Sequence, residues 1–336
     1  DVHDGNASTK KLHAMINAHV GEDYTLLMER LQGDMLFYIF VRSDLASSAS
    51  VTDTHVQTAG VGWSKGCSIS STLIIGGTKL SFVCMQLKDK ELLIPRKNST
   101  MAAAKKTILD EKNATAEEFL NVAGKDLSSL SHHIFVFGDL NYRISPPSNS
   151  QGVQNSIEEE QFIARNFLKT KQWSSISESD ELVNAMRNND AFSAFKTSLC
   201  KFHPTYKVER AAGLKYDYAT MPSYADRILF RSNQDGSRKI EAIVYEPVYQ
   251  FSTSLHKPLR GLFFLPDRKI RLDPKNEPKT MIITFSHLKA KNLRPKEDIL
   301  RSDINPYLQF CCDARCVKMS KSSKDRTSTA STTDRP

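Results

Sequence analysis

The sequence contains no apolar run of the roughly 20 residues that a helix needs to cross a lipid bilayer, so we expect a soluble protein. Cysteine is sparse: its six residues form no Cys-x-x-Cys pair and have no histidine partner at zinc spacing. A zinc site is therefore not indicated, and we expect reduced, buried thiols in a cytoplasmic protein. A signal-peptide core is also missing, and the first residue is Asp1, so we expect a truncated or processed amino terminus.

Acidic residues are outnumbered, with 38 Asp and Glu against 46 Lys and Arg, which gives a net charge of +8. This balance favours an anionic partner, whether nucleic acid, an anionic lipid surface or a polyphosphorylated small molecule. Hydrophobic residues make up 40% and charged residues 25%, as in ordinary globular proteins. At 336 residues the chain can form one large core, or one core and a smaller second domain.

Periodicity predicts alternating helices and strands. A loosely helical spacing covers Lys11–Leu31, and the apolar run Met35–Val41 has the length of a buried strand. Strands are also predicted at Ser70–Ile75 and Lys79–Met85, joined as a hairpin by Gly76 and Gly77. These signals favour an α/β core.

The second half of the chain continues the alternation. Thr115 and Glu118 form a capping-box pattern that predicts a helix start, and Ile163 with Phe167 has the spacing of a helix face. Further strands are predicted at Ile134–Phe137, Arg227–Arg231, Ile240–Tyr245 and Gly261–Leu265. Prolines and basic residues then interrupt the pattern, so we predict a core domain at 1–266, a linker at 267–280 and a second segment at 281–336.

Asp139 and Asn141 follow the strand Ile134–Phe137 and Gly138. Because they are two residues apart, both side chains face the same way if the strand geometry persists. A carboxylate and a carboxamide side by side suit phosphate-ester hydrolysis, because one handles a water and the other binds a phosphoryl oxygen. A capped strand-to-loop turn is the alternative for this motif alone.

Two further motifs make a family resemblance specific. Phe-Gly-Asp-Leu-Asn-Tyr-Arg-Ile (137–144), Pro-Thr-Tyr-Lys (204–207) and Pro-Ser-Tyr-Ala-Asp-Arg-Ile-Leu (222–229) follow one another in this order. Together they resemble the signature of the inositol polyphosphate 5-phosphatases, over about Tyr24 to Leu265. The resemblance implies two stacked mixed β-sheets flanked by helices, a four-layer sandwich, and water attack on phosphorus assisted by Mg²⁺.

The resemblance also implies residue roles. Asp139 handles the water, Asn141 binds the phosphoryl group, and Asp226 orients His256, which contacts the phosphate and lies in Ser-Leu-His-Lys-Pro (254–258). An Asp to imidazole hydrogen bond fixes the ring tautomer and stabilises its charged form. The residues we expect to bind the substrate are Lys65, Gln86, Arg143, Lys207 and Arg227.

Several positions depart from the family pattern. Gln86 replaces a histidine, and Gln can hydrogen-bond but cannot carry positive charge. Leu255 replaces an aspartate next to His256, and the basic pair before Pro222 is absent. The early Gln-Glu element, whose glutamate binds magnesium in the family, has no counterpart before Tyr24. The metal ligands of this chain are therefore unknown from its sequence.

The segment from Ile283 to Leu293, with Asp298, Asp303 and Tyr307, is similar to the beginning of a C2 domain. In that family loop aspartates bind calcium and the domain docks on membranes; a short structural strand pair is the alternative. The basic tail from Arg315 to Arg326 is typical of a solvated linker.

Three functions compete. The first is a 5-phosphatase acting on phosphoinositides or inositol polyphosphates, cytoplasmic and peripherally associated with an anionic membrane surface. The second is a phosphoinositide-binding adaptor that kept the fold and lost the chemistry, favoured by Gln86, Leu255 and the missing glutamate. The third, a nuclease, fits the basic charge but not the second and third motifs, so we expect no nucleic-acid partner.

Overall fold

The computed structural model describes residues 7–33, 35–59, 66–88, 101–122, 124–145, 162–217, 220–233 and 240–265, with short gaps between 163 and 172. All these residues belong to one compact unit, Asp1–Arg268. The predicted linker and the C2-like segment lie outside the described residues. Of the helices described, none has the length and hydropathy required to span a membrane.

The described strands form one large sheet and three two-stranded ones. The strands are β1 (Tyr24–Gln32), β2 (Met35–Arg42), β3 (Ala49–Ala59), β4 (Gly66–Ile75), β5 (Thr78–Leu87), β6 (Asn121–Val122), β7 (Lys125–Asp126), β8 (His133–Asp139), β9 (Lys196–Thr197), β10 (Asp226–Ser232), β11 (Glu241–Pro247) and β12 (Leu259–Phe264). The large sheet has the order β3-β4-β5-β8-β10-β9, and β5 with β8 is its parallel pair. The two-stranded sheets are β1-β2, β11-β12 and β6-β7.

Helices flank these sheets. The described helices with defined bounds are α1 (Ala7–Val20), α2 (Met101–Leu120), α3 (Leu127–Leu130), α4 (Trp173–Glu178) and α5 (Glu181–Asn188), and a 3₁₀ helix spans Ser43–Ser48. Asp180 is the N-cap of α5, and its Oδ1 accepts hydrogen bonds from the Leu182 and Val183 amides. This cap fixes where α5 begins beside the large sheet.

The two faces of the large sheet pack differently because side chains alternate along each strand. On one face, Met85 and Val136 pack with Phe119 of α2 and Leu182 of α5. On the other face, Phe82 and Phe137 meet the hairpins β1-β2 and β11-β12. Helix α1 lies beyond β1-β2, where the His13 ring packs 5.8 Å from that of Tyr38. The predicted α/β fold is confirmed, with the second sheet present as two hairpins.

The hairpin predicted at Gly76 and Gly77 is confirmed. The turn residues have φ of 54° and 80°, a region that glycine enters without steric cost, and β4 pairs with β5 from Ile75↔Thr78 onward. The strands predicted at Met35–Val41, Ile134–Phe137 and Arg227–Arg231 correspond to β2, β8 and β10. Those predicted at Ile240–Tyr245 and Gly261–Leu265 correspond to β11 and β12, shifted by one or two residues.

Two helix predictions were wrong in their bounds. The helix expected over Lys11–Leu31 ends at Val20, and β1 follows, because pairing with β2 buries Met28 against the large sheet. The helix expected to start at Thr115 is instead the end of α2, where the Thr115 hydroxyl bonds to the Glu111 carbonyl, 2.9 Å away, within the helix. The predicted pair Ile163 and Phe167 lies outside the described residues.

Candidate active site

Gly138 positions the first residue of the candidate site, Asp139, at the end of β8. Its φ is +132°, and a Cβ atom added there would lie 2.1 Å from the Met85 carbonyl oxygen. Only glycine fits at this close approach of β8 to β5. Asp139, the next residue and the last of β8, is thereby held at the end of the large sheet.

Asp226, the first residue of β10, faces Asp139, the last residue of β8, across the antiparallel β8-β10 ladder. His256 lies in the loop before β12, and its Nδ1 is 3.0 Å from Oδ2 of Asp226. The Thr205 hydroxyl donates to the same oxygen at 2.9 Å. The β8-β10 ladder and the loops that carry Thr205 and His256 therefore fix the Asp226 carboxylate relative to the His256 imidazole.

The Asp139 and Asp226 carboxylates and the His256 imidazole form a cluster. One ligand atom from each lies within 4.8 Å of the others, a spacing that a metal ion can bridge. Mg²⁺ prefers oxygen ligands and is commonly held by one or two carboxylates together with substrate phosphates. The two carboxylates fit this requirement, whereas His256 Nδ1 is already bonded to Asp226.

Burial and charge shift the acid-base properties of the cluster. Burial raises the pKa of Asp139 to about 6, with a further contribution from the negative charge of Asp226. For His256, burial acts to lower the pKa, but the hydrogen bond and charge of Asp226 and the charge of Asp139 outweigh it, so the pKa is raised. The surroundings therefore favour the protonated form of His256 and disfavour the ionised form of Asp139, each relative to the same group in water.

Asn141 is close to the cluster through the loop that follows β8. Its backbone N–H donates to Asp139 Oδ1 at 3.2 Å, and its side-chain amide donates to the Leu87 carbonyl at 2.8 Å. Its φ is 58°, an unusual value for a residue other than glycine. Asn141 thus links the ends of β5 and β8, through its side chain to Leu87 and through its backbone N–H to Asp139.

Arg143 and Tyr206 complete one wall of the site. The Arg143 guanidinium lies 4.5 Å from the centroid of the Tyr206 ring, and that ring lies 4.4 Å from the His256 ring. The sequence analysis assigned Arg143 but not Tyr206. The signal was present, because Tyr206 is the third residue of the Pro-Thr-Tyr-Lys motif.

The other predicted substrate-binding residues are placed differently. Continuing the β5-β8 register two residues past Cys84↔Phe137 brings Gln86 level with Asp139, on the face opposite Met85. Lys207 forms an ion pair with Asp217 at 3.0 Å. Lys65 lies outside the described residues.

The expectation that Arg227 binds substrate was wrong. Its side chain is 1% exposed, and its guanidinium forms an ion pair with Asp180, which is 4% exposed. Successive residues of a strand face opposite ways, so Arg227 lies on the face opposite its neighbour Asp226. Arg227 therefore joins β10 to α5 within the core.

Comparison with protein families places this fold and site in a known class. The model of Endonuclease/Exonuclease/phosphatase family 2 matches residues 2–262, and the chain belongs to this family.

Similar proteins are named as 5-phosphatases. The type II inositol polyphosphate 5-phosphatase 14 of Arabidopsis thaliana is 30% identical over 176 residues, which are 48% of this chain and 14% of that protein. The phosphatidylinositol polyphosphate 5-phosphatase type IV of Homo sapiens is 23% identical over 269 residues, which are 78% of this chain and 39% of that protein. The chain therefore spans less than half the length of these relatives.

Solved structures share the fold at low identity. One is the inositol polyphosphate 5-phosphatase domain of spsynaptojanin in complex with inositol (1,4)-bisphosphate and calcium ion, with a TM-score of 0.57, 19% identity, and coverage of 77% of this chain and 69% of that chain. Another is the Cimex nitrophorin ferrous NO complex, with a TM-score of 0.54, 18% identity, and coverage of 77% and 79%. Since one fold hosts both proteins, the fold alone does not define the chemistry.

Proposed function

We propose that this chain hydrolyses the 5-phosphate of phosphatidylinositol phosphates or inositol polyphosphates with the help of magnesium. The observation that carries the proposal is the cluster of Asp139, Asp226 and His256, with ligand atoms within 4.8 Å of one another, where β8 ends and β10 begins. The names of the relatives support this substrate class.

Asp139 and His256 take complementary roles. Asp139 orients the attacking water and accepts its proton, and a pKa near 6 makes it an ionised base at neutral pH. In the protonated ring of His256, Nδ1 donates to Asp226 and Nε2 donates a hydrogen bond to a phosphoryl oxygen. The water oxygen bonds to phosphorus while the bond from phosphorus to the inositol ring oxygen breaks. The ring oxygen takes a proton from solvent and leaves as a hydroxyl, and Asp139 returns the proton of the attacking water to solvent.

Asn141 and Arg143 bind the phosphoryl group. The Asn141 amide nitrogen has two hydrogens, one of which bonds to Leu87, and the other is the donor to a phosphoryl oxygen. The Arg143 guanidinium, stacked on Tyr206 beside His256, adds a permanent positive charge. Both donors act where negative charge accumulates in the transition state.

Asp139 and Asp226 are the residues we propose to hold Mg²⁺, since their carboxylates supply the oxygen ligands it prefers. When bound, the ion supplies charge that neutralises the phosphoryl oxygens.

The remaining phosphates of the substrate meet basic residues. Lys207 exchanges its partner Asp217 for a ring phosphate, Lys65 is a second candidate, and Gln86 offers a neutral hydrogen bond beside Asp139. The net charge of +8 favours a cytoplasmic protein that associates peripherally with an anionic membrane surface.

The alternative is a phosphoinositide-binding adaptor without useful activity. Gln86 and Leu255 favour it, because each replaces a residue that carries charge in the family pattern. In this case the chain binds inositol polyphosphates through the same basic residues and releases no phosphate.

One experiment separates the two. Inositol 1,4,5-trisphosphate is incubated with the chain and magnesium, and the product is identified by chromatography while binding is measured by calorimetry. The enzyme hypothesis predicts inositol 1,4-bisphosphate as product, which His256→Asn abolishes. Binding without product supports the adaptor, and neither binding nor product contradicts both.

A further inference from the structure

A buried lysine lies beneath the loop that carries Asn141. Lys112 is on α2, its side chain is 1% exposed, and its Nζ donates to the Asn141 carbonyl oxygen at 2.7 Å. The same nitrogen lies 5.1 Å from the centroid of the Tyr142 ring. Lysine is rarely buried unless it is paired, so this contact indicates a specific role for the positive charge of Lys112.

Glu181 contacts the same loop two residues further on. Its carboxylate accepts the Arg143 N–H at 2.9 Å, and its own N–H donates to the Arg143 carbonyl at 3.0 Å. Lys112 Nζ lies 4.0 Å from Glu181 Oε2. The two side chains therefore form an ion pair whose members each bind one backbone group of residues 141–143.

We propose that Lys112 and Glu181 are positioning residues that fix the backbone of 141–143 and thereby aim Asn141 and Arg143 at the Asp139 cluster. The inference rests on the proposed function for its link to turnover. Asn141 has a φ of 58°, a conformation that needs support from its surroundings. The bond from Lys112 to the Asn141 carbonyl supplies that support at the strained residue.

A purely structural ion pair is the competing explanation. Removing one member of a buried ion pair is destabilising, whereas replacement of both members by apolar groups of similar volume is often neutral or stabilising. A methionine at position 112 fills nearly the same space, so a structural role predicts a less stable protein whose folded molecules have normal kcat and KM. A positioning role predicts lost catalysis in a protein that still folds.

The test compares Lys112→Met, Glu181→Gln, the double variant and a control, Lys106→Met, which removes an exposed lysine from the same helix. Amide hydrogen exchange is measured along the chain, and kcat and KM are measured with inositol 1,4,5-trisphosphate. We expect faster exchange confined to residues 139–145 and a fall in kcat/KM of about 10- to 100-fold, because small misplacements of reacting groups are costly. The double variant should lose no more than the worse single variant, since the residues act as a unit.

Several outcomes overturn the inference. Exchange and kcat/KM that match the Lys106→Met control contradict it, and so does exchange that increases equally throughout α2 and β8. If Lys112→Met does not fold, Glu181→Gln decides by the same measurements. If the unmodified chain releases no phosphate, the proposed function fails, while the exchange pattern still decides the role of Lys112 and Glu181.

Discussion

Asp139, the last residue of β8, faces Asp226, the first residue of β10, so two carboxylates are held side by side at one edge of the antiparallel β8-β10 ladder. Burial and the neighbouring charge raise the pKa of Asp139 to about 6, against an ordinary value of 3.8. The ionised form of Asp139 is therefore disfavoured by the fold. A carboxylate placed where its ionised form is disfavoured lowers the stability of the protein, which indicates a functional role for Asp139.

Asp139→Asn should stabilise the protein at pH 7. Because the folded pKa is raised, the stability associated with Asp139 is fully present below pH 3.8 and is lost as the pH rises through about 6. The amide removes this loss and still accepts from the Asn141 N–H. We expect a gain of about 1–3 kcal/mol at pH 7, measured by urea unfolding with chelator present.

The same comparison at pH 4 is the control, since most Asp139 is then protonated in the folded protein. The gain should shrink there. An equal gain at both pH values would show that the Asp139 carboxylate is not destabilised by its surroundings.

Asp226→Asn should lower the pKa of His256. Removing the hydrogen bond and charge of Asp226 leaves burial as the main influence on the imidazole, and burial favours its neutral form. NMR titration of the His256 ring measures this directly and needs no turnover. A His256 pKa that is unchanged or higher in the variant contradicts the 3.0 Å pairing with Asp226.

Gln86→His and Leu255→Asp together should accelerate phosphate release. Each restores a charged residue of the family pattern near the cluster, and one preorganised donor is worth about 100- to 1,000-fold in rate. The effects need not add, because residues acting as a unit are strongly coupled. Steady-state rates of the double variant and the unmodified chain decide this, and no gain would show that Gln86 and Leu255 do not limit the rate.

Arg227→Met should destabilise the fold severely. It leaves Asp180 buried without its ion-pair partner, which costs about 3–5 kcal/mol. Arg260→Met, at an exposed pair with Glu246, is the matched control and should cost at most about 1 kcal/mol. Equal urea midpoints for the two variants would contradict the buried role of Arg227.

Local chemistry explains which elements were predictable. Gly76 and Gly77 encode their turn through backbone freedom alone, so the β4-β5 hairpin follows from the sequence. The strand β1 does not, because its apolar residues also suit a helix, and only pairing with β2 decides between them. Thr115 and Glu118 match the pattern of a helix start, but Thr115 lies inside α2. Its hydroxyl donates to the Glu111 carbonyl of the preceding turn instead of capping a new helix.

The residues of the candidate site were likewise predictable only in part. The motifs predict Asp139 and Asp226, because Asp139 follows one strand-like run, Asp226 precedes another, and the motifs occur in a recognisable order. The sequence also argued against a substrate-binding role for Arg227. Successive side chains of a strand point to opposite faces, so Arg227 faces away from Asp226. Lys112 and Glu181 carry no motif, because their contacts depend on how α2 and α5 pack against the loop.

Magnesium-dependent phosphate release from phosphatidylinositol 4,5-bisphosphate tests the central claim most directly. The purified chain is compared with Asp139→Asn over a time course, with magnesium or with chelator. We predict slow release, well below about 1 per second, that needs magnesium and is lost in the variant. Release that is equal in the chain and in Asp139→Asn would contradict the assignment of this site as the phosphatase centre.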